Sequence, residues 1–284
     1  MLERGRRAWK MEDIDFGAIR KNEVQGNEQL FYLLASSSFV EILSELYTSN
    51  LIEHYRGNGE AERWLRETWV REEVQHGQAL KRYVQTVWPE FDWEGSYSGF
   101  AEEYAGLCSL DNLEASRALE MAARCVVETG TSTLYRCLHD AVEEPVLKQI
   151  LANIKADEVR HYAMFRRLFM EHNRTEGKGA LAVLLTIAKR ALEIRGEDGY
   201  IAFKHAYSGR SVNRGQLDQE WRRFRLGLKS LMTAHYPFDM AVEMLLSPVP
   251  LARTLKHRLE AMLIRSARFF VARGARITSG TARV

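Results

Sequence analysis

Apolar positions in this chain recur every three to four residues over long stretches. Nowhere do they alternate as a half-buried strand requires, so the pattern predicts an all-α protein. Leu30, Leu33, Leu34, Phe39, Ile42 and Leu46 mark a first helix over 27–55, closed by the turn signature Gly57-Asn58-Gly59. A second helix covers 60–87 and stops ahead of Pro89. The stretch 89–111 is polar and aromatic, with Gly95, Ser96, Ser98 and Gly99, and reads as a long crossover connection. A third helix starts near Asp111, a residue suited to cap it, and runs to 142. A fourth opens on Glu143-Glu144-Pro145, with acids and proline in its first turn, and runs to 172. Beyond Gly177-Lys178-Gly179, helices are predicted at 180–196, 214–236 and 250–275. The chain thus divides into an N-terminal arm (1–26), a four-helix unit (27–175) and a C-terminal helical extension with a basic tail (176–284).

Two of these helices carry the same short run. Glu72-Glu73-Val74-Gln75-His76 lies in the second, and Asp157-Glu158-Val159-Arg160-His161 lies in the fourth, 85 residues on (73 to 158). Three residues of helix turn through about 300°, so the Glu and His of each Glu-x-x-His share a face one turn apart. Two such faces turned toward each other, with one further glutamate from each of two other helices, make a dinuclear carboxylate centre. Both glutamates are present: Glu41 precedes Glu73 by 32 residues, and Glu128 precedes Glu158 by 30. A single Glu-x-x-His is a weak signal, because glutamate-rich helix surfaces produce it by chance. Two copies in matching hairpins are a strong one.

The expected metal ligands are therefore Glu41, Glu73, His76, Glu128, Glu158 and His161. Glu73 with His76 is assigned to one ion and Glu158 with His161 to the other, with either or both of these glutamates bridging. Hard oxygen donors with imidazole suit iron or manganese. Glu45, one turn after Glu41, is a rival on the first helix; the repeat spacing favours Glu41. Glu120 is a weaker rival for Glu128. Asp157 and Glu72 precede the ligand glutamates, and each is placed to orient a histidine across the bundle through the imidazole's other N–H. For Glu72 a solvent-facing acid remains the alternative. Gly130 and Thr131 follow Glu128. The glycine, costly inside a helix, could open room above the metals, and the threonine hydroxyl could serve bound oxygen or pass protons. A helix that merely tolerates both residues explains them equally well.

Composition excludes several classes. At 284 residues the chain buries enough surface to fold without a disulfide or structural zinc. Three cysteines (Cys108, Cys125, Cys137) with no Cys-x-x-Cys argue against a disulfide framework or a rubredoxin module, and a reducing cytoplasm is the expected location. Met1–Arg7 is basic, but no apolar segment follows as a secretory signal requires. The longest strongly apolar run, Ala180–Ala188, is too short for a membrane span.

These runs resemble the soluble acyl-carrier-protein desaturase family. Glu72-Glu73-Val74-Gln75-His76-Gly77 is similar to that family's Glu-Glu-Asn-Arg-His-Gly. Ala156-Asp157-Glu158-Val159-Arg160-His161 differs by one residue from its Ala-Asp-Glu-Lys-Arg-His. Glu128 and Thr131 match its Glu-x-x-Thr, and Glu41 stands six residues before Tyr47 as the family's first ligand stands before a tyrosine. The resemblance covers about residues 28–172 and has no counterpart in the C-terminal part. It implies a ferritin-like di-iron four-helix bundle with a long crossover, O2 as oxidant and electrons from a ferredoxin-like partner. It also implies a fatty-acyl thioester substrate (on acyl carrier protein or CoA) and a homodimer. The ligand set is also similar to that of hydroxylases, N-oxygenases and manganese/iron oxidases. The arylamine N-oxygenases add a histidine where this chain has Ile154. Iron handling or peroxide scavenging, as in ferritins and rubrerythrins, is the reading from another class.

Residues 253–284 hold eight arginines and lysines (253, 256, 258, 265, 268, 273, 276 and 283) against one acid, Glu260. Leu255, Leu259, Met262, Leu263, Phe269 and Phe270 interleave with them. An acidic carrier protein, a ferredoxin or an anionic membrane surface could dock there; a packed terminal helix with a solvated basic face is the alternative. No nucleic-acid motif accompanies the charge.

Overall fold

The computed structural model describes residues 8–108, 112–193, 197–210 and 216–280, and among them every regular element is helical. The expected first helix is two: α1 (Glu28–Ile42) and α2 (Ser44–His54), broken at Leu43, where ψ flattens to −6°. The second is also divided. α3 (Gly59–Trp64) passes through a wide π turn at Leu65–Trp69 into α4 (Val70–Val87). Each entry is capped by an asparagine: Asn27 accepts from the Leu30 amide and Asn58 from the Ala61 amide.

The expected crossover is not an irregular connection. Asp92 caps a 13-residue helix, α5 (Trp93–Ala105), whose Trp93 and Phe100 are buried against Phe39. The polar composition hid a helix that is held by its aromatic face. Asp111 lies outside the described residues; α6 (Arg117–Ala141) is capped instead by Ser116, which accepts from the Leu119 amide. α7 (Pro145–Glu176) starts on Pro145, with Glu144 accepting from the Val146 and Leu147 amides. It runs past 172 and stops at Gly177, whose φ of 63° favours glycine. The C-terminal part holds α8 (Ala180–Glu193), α9 (Glu197–Ser208), α10 (Leu217–His235), α11 (Phe238–Leu246) and α12 (Arg253–Gly280). α9 and α11 were not expected. Both are short, and α9 gives its inner residues Phe203 and Tyr207 to an aromatic cluster with Tyr32.

α1 packs on α4, α6 on α7, and α4 meets α7. Two apolar clusters form along these four helices. One gathers Phe39, Ile42, Leu80, Tyr83, Tyr135 and Ile154; the other gathers Leu65, Trp69, Met121, Val126, Phe165 and Phe169. On each helix the acids and histidines of interest lie in sequence between residues of these clusters. Glu73 and His76 fall between Trp69 and Ala79, Glu128 between Val126 and Tyr135, and Glu158 and His161 between Ile154 and Tyr162. A polar layer is thereby enclosed by hydrocarbon above and below.

The stretch Glu28–His54 is long and apolar enough, by length and composition, to cross a membrane, unlike the shorter run at Ala180–Ala188. Its most apolar window is 67% buried inside the protein, and it carries buried Glu41 toward the polar layer, as a core helix does.

Candidate metal centre

α1, α4, α6 and α7 bring Glu41, Glu73, His76, Glu128, Glu158 and His161 together, all buried. Ligand atoms of Glu41, Glu73, His76 and Glu158 lie within 4.8 Å of one another, and so do those of Glu73, Glu128, Glu158 and His161. Glu73 and Glu158 belong to both groups, as glutamates able to bridge two ions would. His76 Nδ1 is 3.1 Å from Glu158 Oε1 and 3.8 Å from Glu41 Oε2. His161 Nδ1 is 2.9 Å from Glu73 Oε1 and 3.6 Å from Glu128 Oε2. Each histidine thus stands close to the glutamate of the other motif.

The decisive feature is what these groups lack. Glu41 Oε2, Glu73 Oε1, His76 Nδ1, Glu128 Oε2, Glu158 Oε1 and His161 Nδ1 are buried side-chain atoms without a hydrogen-bond partner. One atom from each of six residues converges, unsatisfied, on one place. A buried polar atom left alone costs about 1–3 kcal/mol, so six together are tolerable only if something else satisfies them. Four carboxylates and two imidazoles suit two divalent cations in charge and in donor type. These buried groups could hold a metal ion.

The opposite atoms of five of the six residues, all but Glu73, are held. His76 Nε2 lies 3.0 Å from Asp157 Oδ2 and His161 Nε2 lies 2.7 Å from Glu72 Oε2. A carboxylate only accepts, so both ring nitrogens donate and leave Nδ1 facing inward. The acid of each motif therefore orients the histidine of the other. Three partners had no signal in the motif spacing. Trp9 of the N-terminal arm donates its indole N–H to Asp157 Oδ2 (2.7 Å) and lies parallel to the His76 ring. Trp69, buried by the π turn, donates to Glu128 Oε1 (3.2 Å). Tyr135 donates to Glu41 Oε1. Arg160 lies inside the second motif, where the spacing alone predicts no role for it. It holds Asp157 Oδ1 (2.6 Å) and Glu72 Oε1 (3.1 Å) with one guanidinium, tying the two orienting acids together.

The rivals separate cleanly. Glu45 is exposed, and Glu120 is buried in an ion pair with Arg124 (2.8 Å) outside the cluster. Thr131 donates to Glu158 Oε2 at 2.7 Å. Gly130 does not open room at the centre. It lies on the exposed face of α6, and a side chain there would meet open space. The glycine that does matter is Gly77: a Cβ there would stand 2.5 Å from Ile42 Cγ1 and 2.8 Å from the Ile42 amide nitrogen. Its absence lets α4 press against α1 beside Glu41 and His76.

No protein-family model matches the chain, and no curated protein matches it.

The electrostatics follow from burial. Desolvation raises Glu73 strongly, assisted by the charges of Glu158 and Glu41. It pushes Glu128 up to about 8, with Glu158 adding and His161 opposing. For Glu158 burial acts upward too, but the close approach of His76 Nδ1, 3.1 Å from Oε1, and the charges of both histidines outweigh it and lower the pKa. Burial opposes charging His76 and His161, yet their carboxylate partners raise both well above the ordinary imidazole range. Without metal the cluster holds protons where cations would sit.

Proposed function

We propose that the protein is an oxygen-dependent di-iron oxidoreductase attacking a C–H bond, with a fatty-acyl thioester as its substrate class and desaturation as its reaction. The observation that carries this reading is the convergence of six unsatisfied ligand atoms, five of them on side chains whose opposite atom is restrained by a neighbour. In this reading the four helices are a ferritin-like bundle, with α5 lying in its long crossover. The family resemblance of the two motifs supplies the reaction class. An iron pair, or a manganese/iron pair in the same donors, supplies the reduction of O2. Desaturation by one O2 consumes two further electrons and two protons and yields two waters. The electrons come from a ferredoxin-like donor, and the enzyme acts in the cytoplasm as a homodimer.

The chain's own groups do the rest. Asp157 and Glu72 fix the imidazoles. Tyr135, Trp69 and Thr131 each direct a hydrogen at one carboxylate oxygen, leaving the other free for metal. Thr131, half-buried beside Glu158, is the hydroxyl placed to hand a proton inward. The flanking apolar clusters keep water from the reacting centre. Ile154 is buried in one of these clusters and so offers no seventh ligand of the N-oxygenase kind.

The test loads the protein with ferrous iron without oxygen, adds a long-chain acyl-CoA and a chemical reductant, and admits O2. The product is read by mass spectrometry. Loss of two hydrogens supports desaturation, and gain of one oxygen assigns a hydroxylase. Unaltered thioester with iron accumulating as ferric mineral overturns the proposal in favour of iron oxidation.

A further inference from the structure

Large apolar side chains more than half exposed all fall after residue 180 among the described residues, and α12 carries the most ordered set. Leu255 is 53% exposed, Met262 51% and Phe269 60%. They are seven residues apart, so they form one line along the helix. Arg258 lies three residues after Leu255 and four before Met262; Arg265 lies likewise between Met262 and Phe269. Both arginines are exposed. The outer face is therefore a 3–4–3–4 ladder of alternating apolar and cationic side chains. Arg253, Lys256 and Arg268 add positive charge, with Arg268 paired to Asp239 and Glu260 the single acid, facing His257. The inner face packs through Leu259 against the apolar cluster at Trp69 and Phe165. Burying α12 against its own protein thus leaves this ladder outside.

We infer that the outer face of α12 binds an anionic lipid surface, the helix lying in the headgroup plane with Leu255, Met262 and Phe269 inserted and Arg258 and Arg265 among the lipid phosphates. Charge complementarity selects the occupant. A second copy would pair the two ladders and press arginine against arginine along the seam. A bilayer meets both components at once, since long arginine side chains reach headgroups while the line between them enters the acyl boundary.

The test is flotation of the full-length protein with vesicles of phosphatidylcholine and phosphatidylserine at two to one, and with phosphatidylcholine alone. The expected result is binding to the mixed vesicles, loss of that binding at high salt, and little binding to phosphatidylcholine. R258Q/R265Q is expected to weaken it about thirty-fold at low salt. L255S/M262S keeps the charge and is expected to weaken it as well. Far-UV circular dichroism checks that these surface variants stay folded. Each of the following results overturns the inference: no binding to mixed vesicles, equal binding to both vesicle types, variants that bind like the parent, and soluble polyglutamate held as tightly as vesicles. A dimer in light scattering that L255S/M262S dissolves would assign the face to a second copy instead.

Discussion

Asp157→Asn isolates the orienting charge from the shape that carries it. Asp157 accepts from His76 Nε2 (3.0 Å) and Trp9 Nε1 (2.7 Å) on one oxygen and from Arg160 Nη1 (2.6 Å) on the other. Asparagine keeps one acceptor. Turned toward His76 and Trp9, it preserves both bonds and sets its NH2 against Arg160, which is 43% exposed and can turn to water. What is lost is charge assistance, which makes such a bond roughly twice as strong as a neutral one. Losing an outer partner of a metal-bound histidine weakens metal affinity about 10–100-fold, or about 1.4–2.7 kcal/mol. Asp157→Asn is expected near tenfold, and Asp157→Leu, which removes both acceptors, near a hundredfold. Competition with a calibrated chelator under anaerobic conditions measures the ferrous affinity. Asp157 also helps hold a proton on metal-free His76. The asparagine variant therefore suffers less proton competition, and its defect should shrink as pH falls. Unchanged affinity in Asp157→Asn, or equal affinity in the two variants, refutes the reasoning.

Metal should enter by displacing protons. Glu73, Glu128, His76 and His161 all bind protons more tightly than usual in the metal-free protein, so loading at neutral pH should release protons, measured in weak buffer, and loading without proton release contradicts this. The same groups bind more protons folded than unfolded. Metal-free stability should therefore fall as pH rises, for Glu128 from its ordinary 4.5 to about 8, and a flat or rising urea midpoint across that range contradicts this. Gly77→Ala should cost about 1–3 kcal/mol in urea unfolding, because its Cβ overlaps Ile42 and forces α4 off α1. Tyr135→Phe strands Glu41 Oε1 without its donor and should lower metal-free stability by about 1–3 kcal/mol.

The cluster of candidate ligands was legible because it repeats. Glu-x-x-His fixes a face without reference to the rest of the fold, and matched hairpin spacing picked Glu41 over Glu45. Trp9, Tyr135 and Trp69 were not legible. Each reaches a ligand or its partner from an element whose approach depends on tertiary packing, and Trp9 acts from 148 residues away in sequence. The helix breaks were hidden for a related reason. Leu43, and Leu65 and Trp69 at the two ends of the π turn, are apolar positions that fit an unbroken period, and only the close approach at Gly77 and the indole bond to Glu128 show what the local backbone accommodates. Gly130 misled because its neighbours are functional while its own position faces outward. α5 misled because its glycines and serines sit on a helix whose stability lies in Trp93 and Phe100.

The most direct test of the central claim is an anaerobic ferrous titration of the metal-free protein, counting iron bound per chain. The account predicts saturation at about two ions, with His76→Ala and His161→Ala each losing high-affinity binding. Saturation at none or one, or uptake that continues far past two, would contradict it.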